Sequence, residues 1–342
     1  MRKSYKIIAL VVALLFSISM LSGCGANSGS SGSNGNSGES QEAKKDDYPN
    51  KPITVIVSFA AGGGTDVGAR VLLPYVEKEL GVPLTVVNKP GGGGWVGWTE
   101  LVNAKPDGYT IGYINTPNLM TGYLDPQYKR KENLESFALI ANHVVDYGAI
   151  CINPKETRFK DAKELFEYAK EHEVTGTTTG VNSDDHIAIM KLNKYYGTKF
   201  VPVHTTGAAE GKASVMGGHV DVYFANVGEV TAPHKNGELK VVAIMAPERS
   251  KFLPDVPTYE ELGYKVYSWS ARGIAAPKGI DQAKLDKLVA AFEKAINNPE
   301  HIKKMEDMGL AVNFLKGDDY MKLLKDDEKG VLDVSDLLGW KK

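Results

Sequence analysis

Two short stretches of this chain have the residue types and order to hold an anion. Gly62-Gly63-Gly64-Thr65-Asp66 and Gly91-Gly92-Gly93-Gly94 each follow an apolar run, at 53–59 and 84–88. After Gly64 the apolar residues Val67, Val71, Leu72, Tyr75, Val76 and Leu80 recur at helical spacing. Strand, glycine loop and helix in that order aim unpaired backbone N–H groups and a helix N-terminus at a ligand. Glycine lets the backbone approach that ligand closely. Thr65 reads as a cap or a ligand-contacting hydroxyl, and Asp66 as a first-turn acid favoured by the helix dipole. Two further loops repeat the pattern with hydroxyls. Ser183 and its neighbouring N–H groups could take a carboxylate, while Asp184 and Asp185 read as caps and His186 as a structural histidine. In His204-Thr205-Thr206-Gly207-Ala208, the hydroxyls of Thr205 and Thr206 and the N–H of Ala208 are candidate donors.

Other chemistries fit poorly. A nucleotide phosphate loop needs Lys-Ser/Thr after its last glycine, and Thr65-Asp66 stands there instead. Gly92-x-Gly94-x-x-Gly97 matches a dinucleotide fingerprint only formally, because the next acid, Asp107, comes about ten residues too early. The seven histidines show no metal-ligand spacing, and there is no Gly-x-Ser-x-Gly elbow. No metal or cofactor is expected. Trp95 and Trp98 each either wall a cleft or pack in a core. Cys151, in the apolar run 147–152, reads as a small core residue.

Positioning these loops requires an α/β body. Strands are expected at 53–59, 84–88, 110–114, 149–153, 174–179, 199–203, 220–225, 239–245 and 268–275. Helices are expected at 67–80, 97–103, 160–171, 185–196, 208–216, 256–262, 282–297 and 300–308. The alternation argues for mainly parallel sheets, whose ligands lie beyond the carboxyl ends of the strands. Two lobes facing each other across a central cleft would bring all four loops together.

The N-terminus sets the compartment. Arg2, Lys3 and Lys6 precede an apolar run, 7–20, and Leu21-Ser22-Gly23-Cys24 has the form of a lipoprotein processing site. Residues 1–23 read as a signal peptide and Cys24 as the lipidated residue. Residues 24–46, rich in Gly, Ser and Asn, read as a flexible tether. The chain has 40 basic and 42 acidic residues, and losing the leader's three cations leaves 37 against 42. That balance gives no sign of nucleic-acid binding.

Further segments sharpen the picture: Tyr48-Pro-Asn-Lys-Pro-Ile53, Asn88-Lys-Pro-Gly91, Lys105-Pro-Asp-Gly-Tyr-Thr110, Gly217-Gly-His-Val-Asp221, Leu253-Pro-Asp-Val-Pro-Thr258, Ser268-Trp269 and Ala275-Ala-Pro-Lys-Gly279. Together with the glycine loops and His186 after Asn182-Ser183, their order and spacing resemble the extracytoplasmic solute receptors of tripartite tricarboxylate transporters, also called Bug receptors. The resemblance spans about 48–315. It implies a periplasmic-binding-protein-like clamshell that is not an enzyme, binds a small carboxylate and hands it to the transporter's membrane subunits. The candidate ligand-binding set it implies is Phe59, Ala61, Gly62, Gly63, Gly64, Thr65, Asp66, Gly92, Gly93, Gly94 and Trp95 from the first lobe. Ser183, His186, Thr205, Thr206, Gly207 and Ala208 come from the second. The lobes are expected at 47–145 plus 246–342 and at 146–245. A monomer held by its lipid at the outer face of the bacterial cytoplasmic membrane follows.

Phe59-Ala60-Ala61 stands where the family is often Pro-rich, and Trp95 where a small or polar residue is common. An aromatic wall at Trp95 would favour a bulkier acid. Arg272 is either an extra ligand partner or a surface or interlobe ion pair. A sensory binding protein for a membrane kinase, and an extracytoplasmic enzyme acting on organic acids, are the competing readings.

Overall fold

The computed structural model describes residues 47–340, so the leader, Cys24 and the tether lie outside the described residues. The chain opens with β1 (Ile53–Val57), α1 (Gly64–Leu80), β2 (Leu84–Asn88), α2 (Trp95–Val102), β3 (Thr110–Asn115) and α3 (Asn118–Leu124). A 16-residue strand, β4 (Phe137–Ile152), follows. Then come α4 (Ala162–Glu171), β5 (Val174–Thr178), α5 (Asp184–Tyr196), β6 (Phe200–His204), α6 (Ala208–Met216), β7 (Val222–Asn226), α7 (Val227–Lys235) and β8 (Lys240–Ile244). The last part is β9 (Trp269–Pro277), α8 (Gln282–Ile296), α9 (Pro299–Asp307), β10 (Val312–Leu315) and α10 (Gly317–Asp333).

The strands run β2-β1-β3-β9-β4-β7-β5-β6, with β8 and β10 also paired to β4. β1 pairs in parallel with β2 and β3, and β5 does the same with β6 and β7. Between these two parallel triplets lie antiparallel strands. Residues 137–147 of β4 pair with β9, and 148–152 pair with β7 and β8. One strand therefore belongs to both halves of a two-lobed α/β clamshell. The sheets are mixed rather than uniformly parallel, because β4 and β9 enter each triplet antiparallel.

Local chemistry sets the element ends. Gly81, at φ 74, closes α1 by donating its N–H to Glu77 O, and Gly197, at φ 70, closes α5 the same way on Asn193 O. The side chain of Asp161 accepts from Glu164 N to start α4, and Asp281 accepts from Ala283 N and Lys284 N to start α8.

The run 256–262, expected as a helix, is a set of turns with a single bridge from Thr258 to Ile244. Pro254, Pro257 and Gly263 leave it no room for a second helical turn. Leu253 and Val256 pack with Ala149, Val230 and Ile244, and Tyr259, Tyr264 and Val266 pack with Phe166 and Phe224. These are the cores of the β5–β8 half. The segment after 246, expected in the first lobe, therefore packs with the second until β9 begins.

Candidate ligand-binding cleft

The carboxyl ends of β1, β3, β5 and β7 converge on one buried space between the halves. Phe59, Gly63, Gly64 and Thr65 reach it from the loop after β1, and Gly207 and Ala208 from the loop after β6. The space is narrow, about 30 Å³, room for about two waters. The glycines explain why the walls come so close. A methyl group built on Gly207 would stand 3.4 Å from Ala60 Cβ, and one on Gly63 would stand 3.9 Å from Ala208 Cβ.

Beside it lies a cavity of about 140 Å³ lined by Gly92, Gly93, Trp95, Asn118, Val181 and Asn182. Here the second glycine loop meets the loop after β5. A Cβ on Gly93 would lie 4.0 Å from Val181 O. Gly62 opens on a third cavity, with Ala208 and Lys212 opposite.

The other expected residues line none of these three cavities and bond within the loops around them. Asp66 holds the first loop together by accepting from Gly62 N at 2.9 Å, Arg70 Nε and Asn88 Nδ2 at 3.0 Å. Burial opposes its ionisation, yet these donors hold its carboxyl below the usual range. Ser183 caps α5, accepting from His186 N at 3.3 Å. His186 Nδ1 accepts from Asn182 N, and burial, aided by nearby His204, pushes its pKa down to about 4. Thr205 Oγ1 donates to Thr178 O, and Thr206 is turned onto Glu210 of α6. Ala61 is exposed and lines none of these three cavities, and neither does Gly94. A Cβ on Gly94 would instead strike the Trp98 ring.

Trp95 is 2 % exposed and packs edge-on against Trp98 and Tyr123, with Arg130 over its ring at 4.4 Å. It borders the side cavity and does not line the central space. Trp98 is core, donating Nε1–H to Tyr113 O.

The centre of the cleft is occupied by charge. Arg272 Nη1 lies 3.1 Å from Asp146 Oδ2, and Nη2 lies 3.5 Å from Glu229 Oε1 and donates to Asn226 Oδ1 at 3.0 Å. Glu229 Oε1 also accepts from Gly64 N at 3.3 Å, so a carboxylate of the second half already sits on the first glycine loop. Asp184 Oδ2 accepts from Asn226 Nδ2 at 3.0 Å. Burial pushes Asp146 up to about 7, against the pull of Arg272, and Asp184 up to about 6; Asp185 is driven well above its ordinary value. Arg272 is thus an interlobe ion pair.

The sequence reading missed Asn115, Asn118, Asn226, Glu229 and Ser270 on the wall of this space. Two signals were present. Ser268, Ser270 and Arg272 alternate as polar residues along an otherwise apolar strand. Asn226 and Glu229, three apart, form the start of a helix, with Glu229 Oε2 accepting from Asn226 N.

A two-lobed α/β body with strand-end loops converging on an interlobe cleft defines a solute-binding protein of the periplasmic class. The description "Tripartite tricarboxylate transporter family receptor" matches residues 68–334, and the chain belongs to that family. It is 28 % identical over 302 residues to a UPF0065 protein in the gbd 5′ region of Cupriavidus necator, covering 87 % of this chain and 90 % of that one. The structure of the periplasmic binding protein BugD superposes with a TM-score of 0.78 at 28 % identity, over 86 % of this chain and 99 % of that one. MatC from Rhodopseudomonas palustris, solved with bound malate, shares the fold at 24 % identity and a TM-score of 0.75, over 85 % and 100 % of the two chains. Receptors of this family are extracytoplasmic solute-binding proteins.

Proposed function

We propose that this chain is a lipid-anchored, monomeric, non-enzymatic receptor that captures a small carboxylate and delivers it to the membrane subunits of a tripartite transporter. In this reading the leader is cleaved before Cys24, which carries the lipid, and residues 25–46 are the leash. The lobes are 47–147 with 269–342, and 148–268.

One observation carries the carboxylate assignment. Three donors border the central space and, among the described residues, have no acceptor: the N–H of Thr65 at the start of α1, the N–H of Ala208 at the start of α6, and Nδ2 of Asn118, which is 5 % exposed. Buried unpaired donors are costly, and a carboxylate satisfies several of them at once. Two stand at helix N-termini, where the dipole adds to the attraction. Micromolar capture needs about 8 kcal/mol, within reach of a few charge-assisted hydrogen bonds at about 1.5–3 kcal/mol each. Opening of the lobes would admit the solute, and closure would replace Glu229 on Gly64 N with the incoming carboxylate.

A thermal-shift screen against mono-, di- and tricarboxylates tests the reading. A ligand at 100 times its Kd stabilises by about 2.7 kcal/mol, a shift of several degrees. Selective stabilisation by one class of acid is the expected result. No shift with any acid would overturn the reading.

A further inference from the structure

A further cavity, of about 100 Å³, adjoins the central space and shares Asp184 with it. Asp326, Asp327 and Val331 reach it from α10, Lys191 from α5, and Trp269 from the start of β9. Asp326 is exposed and pairs with Lys322 on its own helix, so two buried carboxylates, Asp184 and Asp327, face one ammonium. Lys191 makes no ion pair among the described residues, and burial lowers its pKa, which weakens it as a counter-charge.

Asp327 is the informative residue. It occupies an inward position of α10, between Leu324 and Val331, where an apolar side chain would pack without cost. It is only 6 % exposed. Its Oδ1 accepts from Trp269 Nε1 at 3.0 Å and the Thr116 hydroxyl stands close enough to favour its charged form, but no donor reaches its buried Oδ2 in full hydrogen-bond geometry. A buried carboxylate oxygen is retained at such a position at a loss in stability unless something donates to it. The cavity, at about 100 Å³, has room for an ammonium group and the carbon that bears it. Trp269 supplies an aromatic wall of the kind that accompanies cation recognition.

We propose that the solute carries a protonated amine as well as a carboxylate, with its ammonium group received between Asp327 and Asp184 while the cleft donors hold its carboxylate. This inference rests on the carboxylate-receptor reading. A second carboxylate in the same place would meet the buried acids Asp184 and Asp327, so plain dicarboxylates are disfavoured. An ammonium supplies a donor to Asp327 Oδ2 and lowers the net negative charge around Asp184 and Asp327.

Calorimetric titration of the full chain with matched acids tests it. The probes are α-amino acids and ω-amino acids of two to six carbons, each beside its desamino acid and the dicarboxylate of the same length. One amine-bearing acid is expected to bind about tenfold or more tightly than both its partners, the worth of one charge-assisted hydrogen bond. Asp327→Asn and Asp184→Asn are each expected to reduce that preference about tenfold, and Asp327→Asn to leave affinity for the desamino acid within about twofold. Melting curves of both variants establish that they fold. Tighter binding of a dicarboxylate or desamino acid would overturn the inference and leave the receptor reading standing, as would a preference unchanged in both variants. Failure of every acid to bind would overturn the receptor reading, and the inference with it.

Discussion

At Gly64 a missing side chain decides two things at once. Its N–H faces Glu229, and the space a Cβ would fill belongs to the Arg272 guanidinium, whose Cζ would lie 2.8 Å away. That guanidinium is buried and held by Asp146, Glu229 and Asn226, so it cannot swing aside as a free surface arginine would. Gly64→Ala is therefore expected to destabilise the protein by about 2 kcal/mol, the scale of overpacking at a closely packed site. Lower urea midpoints with an unchanged m-value would bear this out; a midpoint equal to that of the parent protein would mean that Arg272 relocates freely. The glycine loop was legible because Gly-Gly-Gly after an apolar run has few structural uses. Its partner was not: nothing in the sequence near Glu229 says that its carboxylate crosses to another lobe. Ser183 and His186 show the converse. Their types suit a ligand, and each also uses one acceptor on the start of α5, a structural role that the sequence pattern does not separate from binding.

Among the elements, the packing of β3, β4 and α9 encloses a chain of hydrogen bonds with one consistent proton arrangement. Ile296 O can only accept, so His301 Nδ1 carries a proton and, in the neutral ring, His301 Nε2 accepts. His143 then donates from Nε2, at 3.1 Å, and its Nδ1 accepts from Tyr113 OH at 3.2 Å. Both rings are neutral, and burial holds both pKa values down, His143 well below the ordinary value; the mutual repulsion of the two rings adds to the effect at His143. The sign follows directly. Above the unfolded pKa of about 6.5 both states are neutral, and below it the unfolded chain takes up protons that the folded one refuses. Stability from this pair is lost as pH falls below about 6.5. The raised carboxyls of Asp146, Asp184 and Asp327 act oppositely over the same range, gaining stability as pH falls from about 7 toward the unfolded value near 4. A difference measurement separates the two. Between pH 7.5 and 5.5 the urea midpoint of His143→Phe is expected to change less unfavourably than that of the parent; equal changes would refute the neutral pair. Sequence periodicity located α1, α4, α8 and α9 because their apolar faces are regular. It missed the first half of β4, where Asn142, His143 and Asp146 interrupt the apolar run, and α10, where Asp327 takes an apolar position in the stripe.

The whole molecule is two α/β halves hung on a shared strand, with charge rather than an apolar plug where they meet. Arg272 on β9 bridges Asp146 of the same half and Glu229 and Asn226 of the other, so lobe closure buries the ion pair and lobe separation exposes it to water. A solute that adds hydrogen bonds in the closed form shifts the equilibrium between open and closed lobes toward closure. The clamshell and family could be read from the order of the loop segments. The cleft's charge pattern could not, because Asp146, Asp184, Glu229 and Arg272 are far apart in sequence and meet only through the sheet order. The most direct test of the account is a crystal structure of the protein with the acid that stabilises it most. The account predicts a carboxylate within hydrogen-bond distance of Thr65 N, Ala208 N and Asn118 Nδ2, with Glu229 moved off Gly64 N. A solute bound elsewhere, with Glu229 still on Gly64 and those donors still unpaired, would contradict it.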